Sequence, residues 1–170
     1  MVSISMPARS ALDKRDFRLL KIVQKLDLFQ RLNIEEAQKI LALCEKRRLV
    51  SSQVVWEANR ASTEILLLVS GRLQVRDPQG RRLGDVLPAT SVGEMGVITG
   101  HPRFVSVRAA EDSTALALNR GRFNQLAADE PVIYNKILVN AVDILAHRLT
   151  HTEHELFRGN LPSQREQNRW

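Results

Sequence analysis

The segment best suited to chemistry in this sequence runs from Val92 to Val107. It reads VGEMGVITGHPRFVSV, in which glycines surround one carboxylate, Glu94, and an arginine, Arg103, leads into an apolar stretch. Free backbone N–H groups at the start of a short helix and the guanidinium fork of an arginine both bind phosphate well. The pattern therefore raises phosphate binding as the first hypothesis. The bulky Phe104 beside the arginine is the feature that this hypothesis has to accommodate.

A second pattern with ligand-like spacing is formed by histidines near the C-terminus. His147, His151 and His154 lie four and three positions apart, a spacing that metal ligands on one helix can have. Each is two positions, or about 200°, from an apolar position of the same segment, so we expect these side chains to face water and predict no metal site. The sequence also contains no nucleophile elbow, no Walker loop and no separated acid pair in an evident cleft. We therefore predict no catalytic residues and no enzymatic activity.

The composition is that of a globular protein with one domain. The chain has 170 residues, of which 44% are hydrophobic and 26% are charged. No apolar run approaches the roughly 20 residues that span a bilayer, and the N-terminal segment lacks the apolar middle section of a secretory signal. Cys44 is the only cysteine, which excludes an intrachain disulfide and a cysteine-based zinc site. We therefore expect a cytoplasmic protein without a membrane partner.

The net charge of +6 is concentrated in the first part of the chain. Residues 1–50 hold 11 Lys and Arg against 6 Asp and Glu, which accounts for +5 of the total. These charges are spread along two helical segments with acids between them, a pattern more typical of a solvated face than of a DNA-binding surface. We predict no sequence-specific DNA binding.

The first part of the domain is predicted to be helical. Apolar residues recur at helical spacing from Asp16 to Leu32. A second helix is predicted after Asn33, whose side chain can cap it together with Glu36 three positions on. Residues 1–15 carry no such pattern, so we predict a flexible N-terminal lead.

The middle of the chain has the pattern of a β-structure. Over about 49–118, short apolar runs alternate with turn residues, which is typical of strands in a barrel-like roll. Helical periodicity then returns and is longest over about 131–157, where Pro131 suits the first position of a helix. We therefore predict an α+β fold: a double-stranded β-helix, or jelly-roll-like β-roll, flanked by N-terminal helices and a long C-terminal helix. The predicted domain covers 16–157, and a polar tail covers 158–170.

The long C-terminal helix carries an apolar seam. Its members are spaced alternately by four and three positions, the pattern of a helix that packs against a partner helix. We expect the first half of the seam to pack on the roll of the same chain and the second half to form a homodimer, with an unidentified protein partner as the alternative. The seam consists of Leu138, Val142, Leu145, Leu149, Thr152 and Leu156.

The order of helices, roll and long helix over roughly 16–157 resembles the cyclic nucleotide-binding domain family. The resemblance is most specific in the glycine-rich segment described first. Members of the family carry a phosphate-binding cassette with a Gly-Glu pair, a small residue, aliphatic residues, a short loop, an arginine and a β-branched strand. The positions in register with that cassette are Gly93, Glu94, Gly96, Val97, Ile98, Arg103, Ser106 and Val107.

This resemblance implies a ligand and a role for the site residues. The ligand is a cyclic mononucleotide, with cyclic AMP favoured over cyclic GMP. Arg103 would bind its phosphate, the Glu94 carboxylate would accept a hydrogen bond from a ribose hydroxyl, and Thr152 matches a long-helix position that meets the base in some relatives. The predicted ligand-binding residues are Gly93, Glu94, Met95, Gly96, Arg103, Phe104, Val105 and Thr152.

The sequence departs from the family pattern at several positions near the cassette. Ala58 and Ala89 stand where glycine is usual, which disfavours positive φ and predicts altered turns, and Thr90 replaces an acid. Phe104 and Val105 replace a small hydroxyl residue and an alanine. Because side chains alternate along a strand, either Phe104 points into the pocket or it turns away and Val105 points in.

Two functions are open on these grounds. The first is a regulatory sensor in which ligand occupancy is coupled to the C-terminal helix and to a homodimer or partner surface. The second is a degenerate roll that has lost the ligand and acts as a dimerising protein-interaction module. Bacterial relatives such as the catabolite activator protein add a helix-turn-helix after the long helix, whereas 14 residues follow Leu156 here, so we expect no such domain. The sequence is also compatible with a fragment of a larger regulated protein.

Overall fold

Eight strands form two antiparallel sheets in the structure, a computed structural model that describes Lys21 and residues 25–159. The strands are β1 (Cys44–Leu49), β2 (Val54–Trp56), β3 (Glu64–Ser70), β4 (Leu73–Arg76), β5 (Arg82–Val86), β6 (Ser91–Val92), β7 (Ser106–Ala109) and β8 (Ser113–Asn119). One four-stranded sheet has the order β1-β8-β3-β6, and the other has the order β2-β7-β4-β5. Together with the flanking helices, these sheets confirm the predicted α+β roll.

Helices precede and follow the roll, and a short helix lies between β6 and β7. They are a 3₁₀ turn (Asp27–Phe29), α1 (Ile34–Leu43), α2 (Glu94–Thr99), α3 (Arg120–Asp129) and α4 (Pro131–Gly159). The predicted capping box starts α1: the Glu36 amide donates to the side chain of Asn33, and the Asn33 amide donates to the side chain of Glu36, both at 2.9 Å. Among the described helices, none combines the length and apolar character that crossing a bilayer requires.

The N-terminal helix predicted from Asp16 to Leu32 is wrong in its last part. Its described end forms the 3₁₀ turn Asp27–Phe29, and most of its beginning lies outside the described residues. Leu26 and Leu28 are both fully buried. Positions two apart lie on nearly opposite sides of an α-helix, so an α-helix could not bury both against one core.

The roll begins earlier than predicted, at Cys44 rather than near residue 49. Strand β1 reads CEKRRL, and its middle residues are exposed. It lies at the edge of its sheet and pairs with β8, so charged side chains can occupy it without being buried. The long helix ends at Gly159, slightly beyond its predicted end. The rest of the predicted tail and the N-terminal lead lie outside the described residues.

Strand β3 separates the two apolar cores that hold the domain together. Ile65 and Leu67 pack with the helices, whereas Leu66 and Leu68 point into the roll, as the alternation of a strand requires. The helix-side cluster includes Phe29, Ile40, Phe123, Ile133 and Ile137. The cluster inside the roll includes Trp56, Leu73, Val92, Val107 and Ala109.

The first half of α4 is docked on its own domain. Lys136 Nζ donates to both carboxylate oxygens of Glu36 at 2.7 and 2.8 Å, and this hydrogen bond holds the pKa of Glu36 below its ordinary value. Buried Asn140 donates its side-chain N–H to the Leu28 carbonyl at 2.9 Å. In the first half of the predicted seam, Leu138 packs against the helix-side cluster as expected, but Val142 is exposed, so the prediction that this half packs on its own domain is wrong at Val142. These contacts fix the direction in which α4 runs across the end of the roll.

Candidate functional site

Gly93 is the residue at which the roll turns into α2, and only glycine fits there. Its φ is +89°, a left-handed conformation that other residues rarely adopt. A Cβ at this position would lie 2.3 Å from Arg103 Nη1 and 3.1 Å from both the Trp56 ring and the Glu64 carbonyl. The Gly-Glu pair of the sequence motif is therefore a steric requirement: the glycine lets the arginine approach the backbone, and Glu94 follows as the first residue of α2.

Arg103 is buried and held in one orientation. Its Nη1 donates to the Gly93 carbonyl at 3.1 Å and its Nη2 donates to the Glu64 carbonyl at 2.7 Å. The guanidinium carbon lies 3.7 Å from the centroid of the Trp56 ring. Burial lowers the pKa of Arg103, and the charges of Glu64 and Glu94 oppose that shift. The guanidinium Nε has no acceptor in the structure.

The Glu94 carboxylate is also buried, with 2% of the residue exposed. Its Oε1 accepts a hydrogen bond of 2.7 Å from Nη1 of Arg148, which lies on α4. Its Oε2 has no donor. The carboxylate therefore connects the short helix of the motif to the long C-terminal helix and keeps one oxygen unused.

Both side chains line a cleft of about 790 Å³ at the end of the roll. Residues of β2, β4, β5, β6, α2, the loop before β7 and α4 form its walls. In the described part of the chain, buried side-chain atoms without a hydrogen-bond partner are Trp56 Nε1, Ser62 Oγ, Asp85 Oδ1, Glu94 Oε2 and Arg103 Nε. All of these residues except Ser62 line the cleft. Unpartnered buried polar atoms are rare in folded proteins, so their concentration here indicates a binding site.

The structure brings together the predicted site residues whose side chains it describes. Those that line the cleft are Gly93, Glu94, Met95, Gly96, Arg103, Phe104 and Val105. Thr152 lies in α4, but its side chain lies outside the described ones. Sequence reasoning missed Trp56 and Arg148, which also line the cleft. The indole and the second guanidinium come from distant segments, and the motif itself gave no signal for them.

Phe104 does not fill the cleft. It is 54% exposed, and its ring centroid lies 6.1 Å from that of the neighbouring His101. Val105 packs against the cluster inside the roll instead. Both residues line the cleft, so neither predicted geometry holds in full: Val105 points in as expected, and Phe104 forms an exposed part of the cleft wall instead of turning away from it.

The turns at the glycine-replacing alanines keep left-handed residues. Ala89 itself has a φ of +68°, so this turn is retained in a conformation that is strained for alanine. In the turn that contains Ala58, the left-handed residue is Asn59, with a φ of +64°. Asparagine tolerates that conformation well, so the alanine beside it causes no strain.

The histidine triplet of the long helix is described at one of its three side chains. His147 is exposed and lines the cleft, while the side chains of His151 and His154 lie outside the described ones. Among the described residues, no group of three or more His, Cys, Asp or Glu side chains could hold a metal ion.

Known proteins share both the sequence and the fold around this cleft. The model of a family described as cyclic nucleotide-binding domain matches residues 46–130. A cyclic nucleotide-binding domain from Methylobacillus flagellatus KT, solved by crystallography, has a TM-score of 0.73 and 23% identity, and the match covers 87% of this chain and 85% of that chain. The Thermus thermophilus catabolite activator protein has a TM-score of 0.67 and 27% identity over 76% of this chain and 61% of that chain.

A curated relative of similar identity is much longer than this chain. A cyclic nucleotide-gated potassium channel of Mesorhizobium japonicum is 27% identical over 113 residues, which are 66% of this chain and 31% of the channel. The chain spans between 18% and 36% of the length of the curated relatives that it matches. The shared part is therefore one domain of those proteins.

Proposed function

Because the chain belongs to the cyclic nucleotide-binding domain family, we propose that its cleft binds a cyclic purine mononucleotide, with the phosphate on Arg103 and a ribose hydroxyl on Glu94. The assignment rests on two buried polar atoms without hydrogen-bond partners, of which one is a donor and the other an acceptor. Arg103 Nε needs an acceptor and Glu94 Oε2 needs a donor, and both side chains line one cleft. A cyclic nucleotide presents an anionic acceptor and a hydroxyl donor on one rigid sugar–phosphate, which satisfies both atoms.

Occupancy is coupled to the long helix through Glu94. In the structure this carboxylate already accepts a hydrogen bond from Arg148 on α4, and its second oxygen is buried. A ribose hydroxyl that donates to Oε2 shares the carboxylate with Arg148 on Oε1, so the two donors compete for one negative charge. Ligand binding weakens a contact between α2 and α4, and this gives the protein a regulatory output rather than a catalytic one.

The weakened contact of α4 affects the exposed side of this helix. That side forms a homodimer with a second copy of the chain. Val142 and Leu149 are both largely exposed and lie seven positions apart, on one face of the helix. An apolar stripe of this kind is unfavourable in water and suits a helix partner.

Calorimetry of the purified chain with cyclic AMP, cyclic GMP and cyclic di-GMP tests the proposed function. We expect binding of a cyclic mononucleotide and a loss of about 100-fold in Arg103→Gln, because the hydrogen bond from Nε and the positive charge beside the phosphate are both removed. Arg108→Gln is the matched control, since Arg108 is exposed on β7 and does not line the cleft. If the unmodified chain gives no heat with any of these ligands, the degenerate dimerising module becomes the function.

The competition between Arg148 and the ligand predicts a gain of affinity. Arg148→Met keeps a long side chain but cannot bond to Glu94, so the ligand no longer weakens an ion pair when it binds the carboxylate. Partly exposed ion pairs contribute about 0.2–1 kcal/mol, so we expect cyclic nucleotide affinity to rise by up to about five-fold. The measurement is the dissociation constant by calorimetry. Weaker binding in Arg148→Met would mean that Arg148 holds the ligand instead of competing with it.

A further inference from the structure

Trp56 is a buried aromatic residue in the wall of the cleft whose polar atom has no partner. It ends β2, is paired with Val107 of β7, and is 9% exposed. Its indole Nε1 is buried and has no acceptor. The indole N–H can only donate, so the atom cannot be satisfied by another donor. Tyrosine and tryptophan side chains in protein interiors usually do find a partner for this group.

Arg103 lies directly on this ring. The guanidinium carbon is 3.7 Å from the ring centroid, so the two planar groups contact each other within the cleft wall. Both bear an N–H without an acceptor, Nε of the arginine and Nε1 of the indole. The same anion can accept from two neighbouring donors, because a phosphate carries several acceptor oxygens.

The residue after Arg103 supplies no side-chain donor. Phe104 has no hydroxyl, and its ring is largely exposed, so it offers no hydrogen bond to a ligand beside the arginine. Val105 packs inside the roll and has no polar side-chain atom. Among the described side chains that line the cleft and contact Arg103, the indole carries an unused donor.

We propose that Trp56 is a further ligand-binding residue, whose indole N–H donates to the phosphate of the bound cyclic nucleotide beside Arg103. The inference rests on the proposed function of the cleft and adds a donor to it. In this chain the indole takes the place of the hydroxyl that position 104 lacks. Stacking on the ring also holds the guanidinium in place, so Trp56 supplies a hydrogen bond and orients the neighbouring charge.

The experiment observes the indole N–H directly. The chain has two tryptophans, so Trp170→Phe leaves Trp56 as a single reporter in ¹⁵N-tryptophan-labelled protein. Cyclic AMP is added to saturation, as established by calorimetry on the same protein. We expect the indole proton resonance to move downfield and its exchange with water to slow. In the same background, Trp56→Phe keeps an aromatic face for Arg103 but loses the donor, and we expect its affinity to fall about ten-fold, the usual effect of one hydrogen bond to a charged group.

The outcomes separate this inference from the proposed function. No heat with either cyclic AMP or cyclic GMP in the unmodified chain overturns the proposed function itself. Normal binding with an unchanged indole resonance overturns the role of Trp56 and leaves the function intact. If Trp56→Phe binds cyclic AMP as tightly as the Trp170→Phe parent, the role of Trp56 is also overturned and the proposed function stands. If Trp56→Phe does not fold, the indole resonance of the folded parent decides alone.

Discussion

Gly93→Ala is expected to abolish cyclic nucleotide binding, with a loss of more than about 100-fold, while the roll still folds. Two effects add at this position. Alanine at a φ of +89° is strained by about 1–2 kcal/mol. The new methyl group would also lie 2.3 Å from Arg103 Nη1, so the guanidinium has to leave the carbonyl that orients it. An arginine displaced from that carbonyl no longer presents its Nε to the phosphate, and the hydrogen bonds that define the site are lost together.

Calorimetry with cyclic AMP measures the loss of binding, and thermal unfolding measures the cost to the fold. A strain of about 1–2 kcal/mol corresponds to a fall in melting temperature of several degrees, on the order of 5 °C. Gly84→Ala is the matched control: Gly84 also lines the cleft, but a Cβ there meets nothing within 4 Å. We expect this control to bind normally. Binding by Gly93→Ala within a few fold of the unmodified chain would show that the ligand does not depend on the orientation of Arg103.

The parts of the fold that could be predicted from sequence are those with local causes. The capping box at Asn33 and Glu36 is a contact between residues three positions apart, and it starts α1 as predicted. Pro131 starts α4 for an equally local reason. The N-terminal helix and β1 were mispredicted because tertiary position decided them. Leu26 and Leu28 both have to reach one core, and β1 lies at a sheet edge, where charged residues need no burial.

The candidate site divides in the same way. The glycine, the glutamate and the arginine of the motif lie within one short segment, and their types are fixed by a tight turn and by the charge they must carry. Trp56 and Arg148 meet that segment only after the roll has closed and α4 has crossed its end. Nothing in the spacing of the sequence relates them to the motif. The structure identifies Trp56 by its stacking on Arg103 and its unused N–H, and Arg148 by its ion pair with Glu94.

The second large effect is expected on the oligomeric state and concerns two exposed apolar residues of α4. Val142 is 63% exposed and Leu149 is 62% exposed, although both are apolar members of the predicted seam. In the proposed homodimer these residues are buried against a second copy of α4. Replacing both with glutamate would place like charges in that interface, whereas the isolated helix tolerates glutamate at least as well as valine. We therefore expect the double variant Val142→Glu and Leu149→Glu to be a folded monomer.

Light scattering measures the molecular mass of the unmodified chain and of the double variant. The concentration is tens of micromolar, an order of magnitude at which ordinary interfaces persist. Val50→Glu is the matched control, because Val50 is 64% exposed but belongs to the connection between β1 and β2, not to α4. We expect the control to stay dimeric and the double variant to halve in mass, with the helical circular dichroism signal preserved in both. An unmodified chain that is already monomeric would rule out the homodimer. The output of the Glu94–Arg148 competition would then have to reach a different protein on the same face of α4.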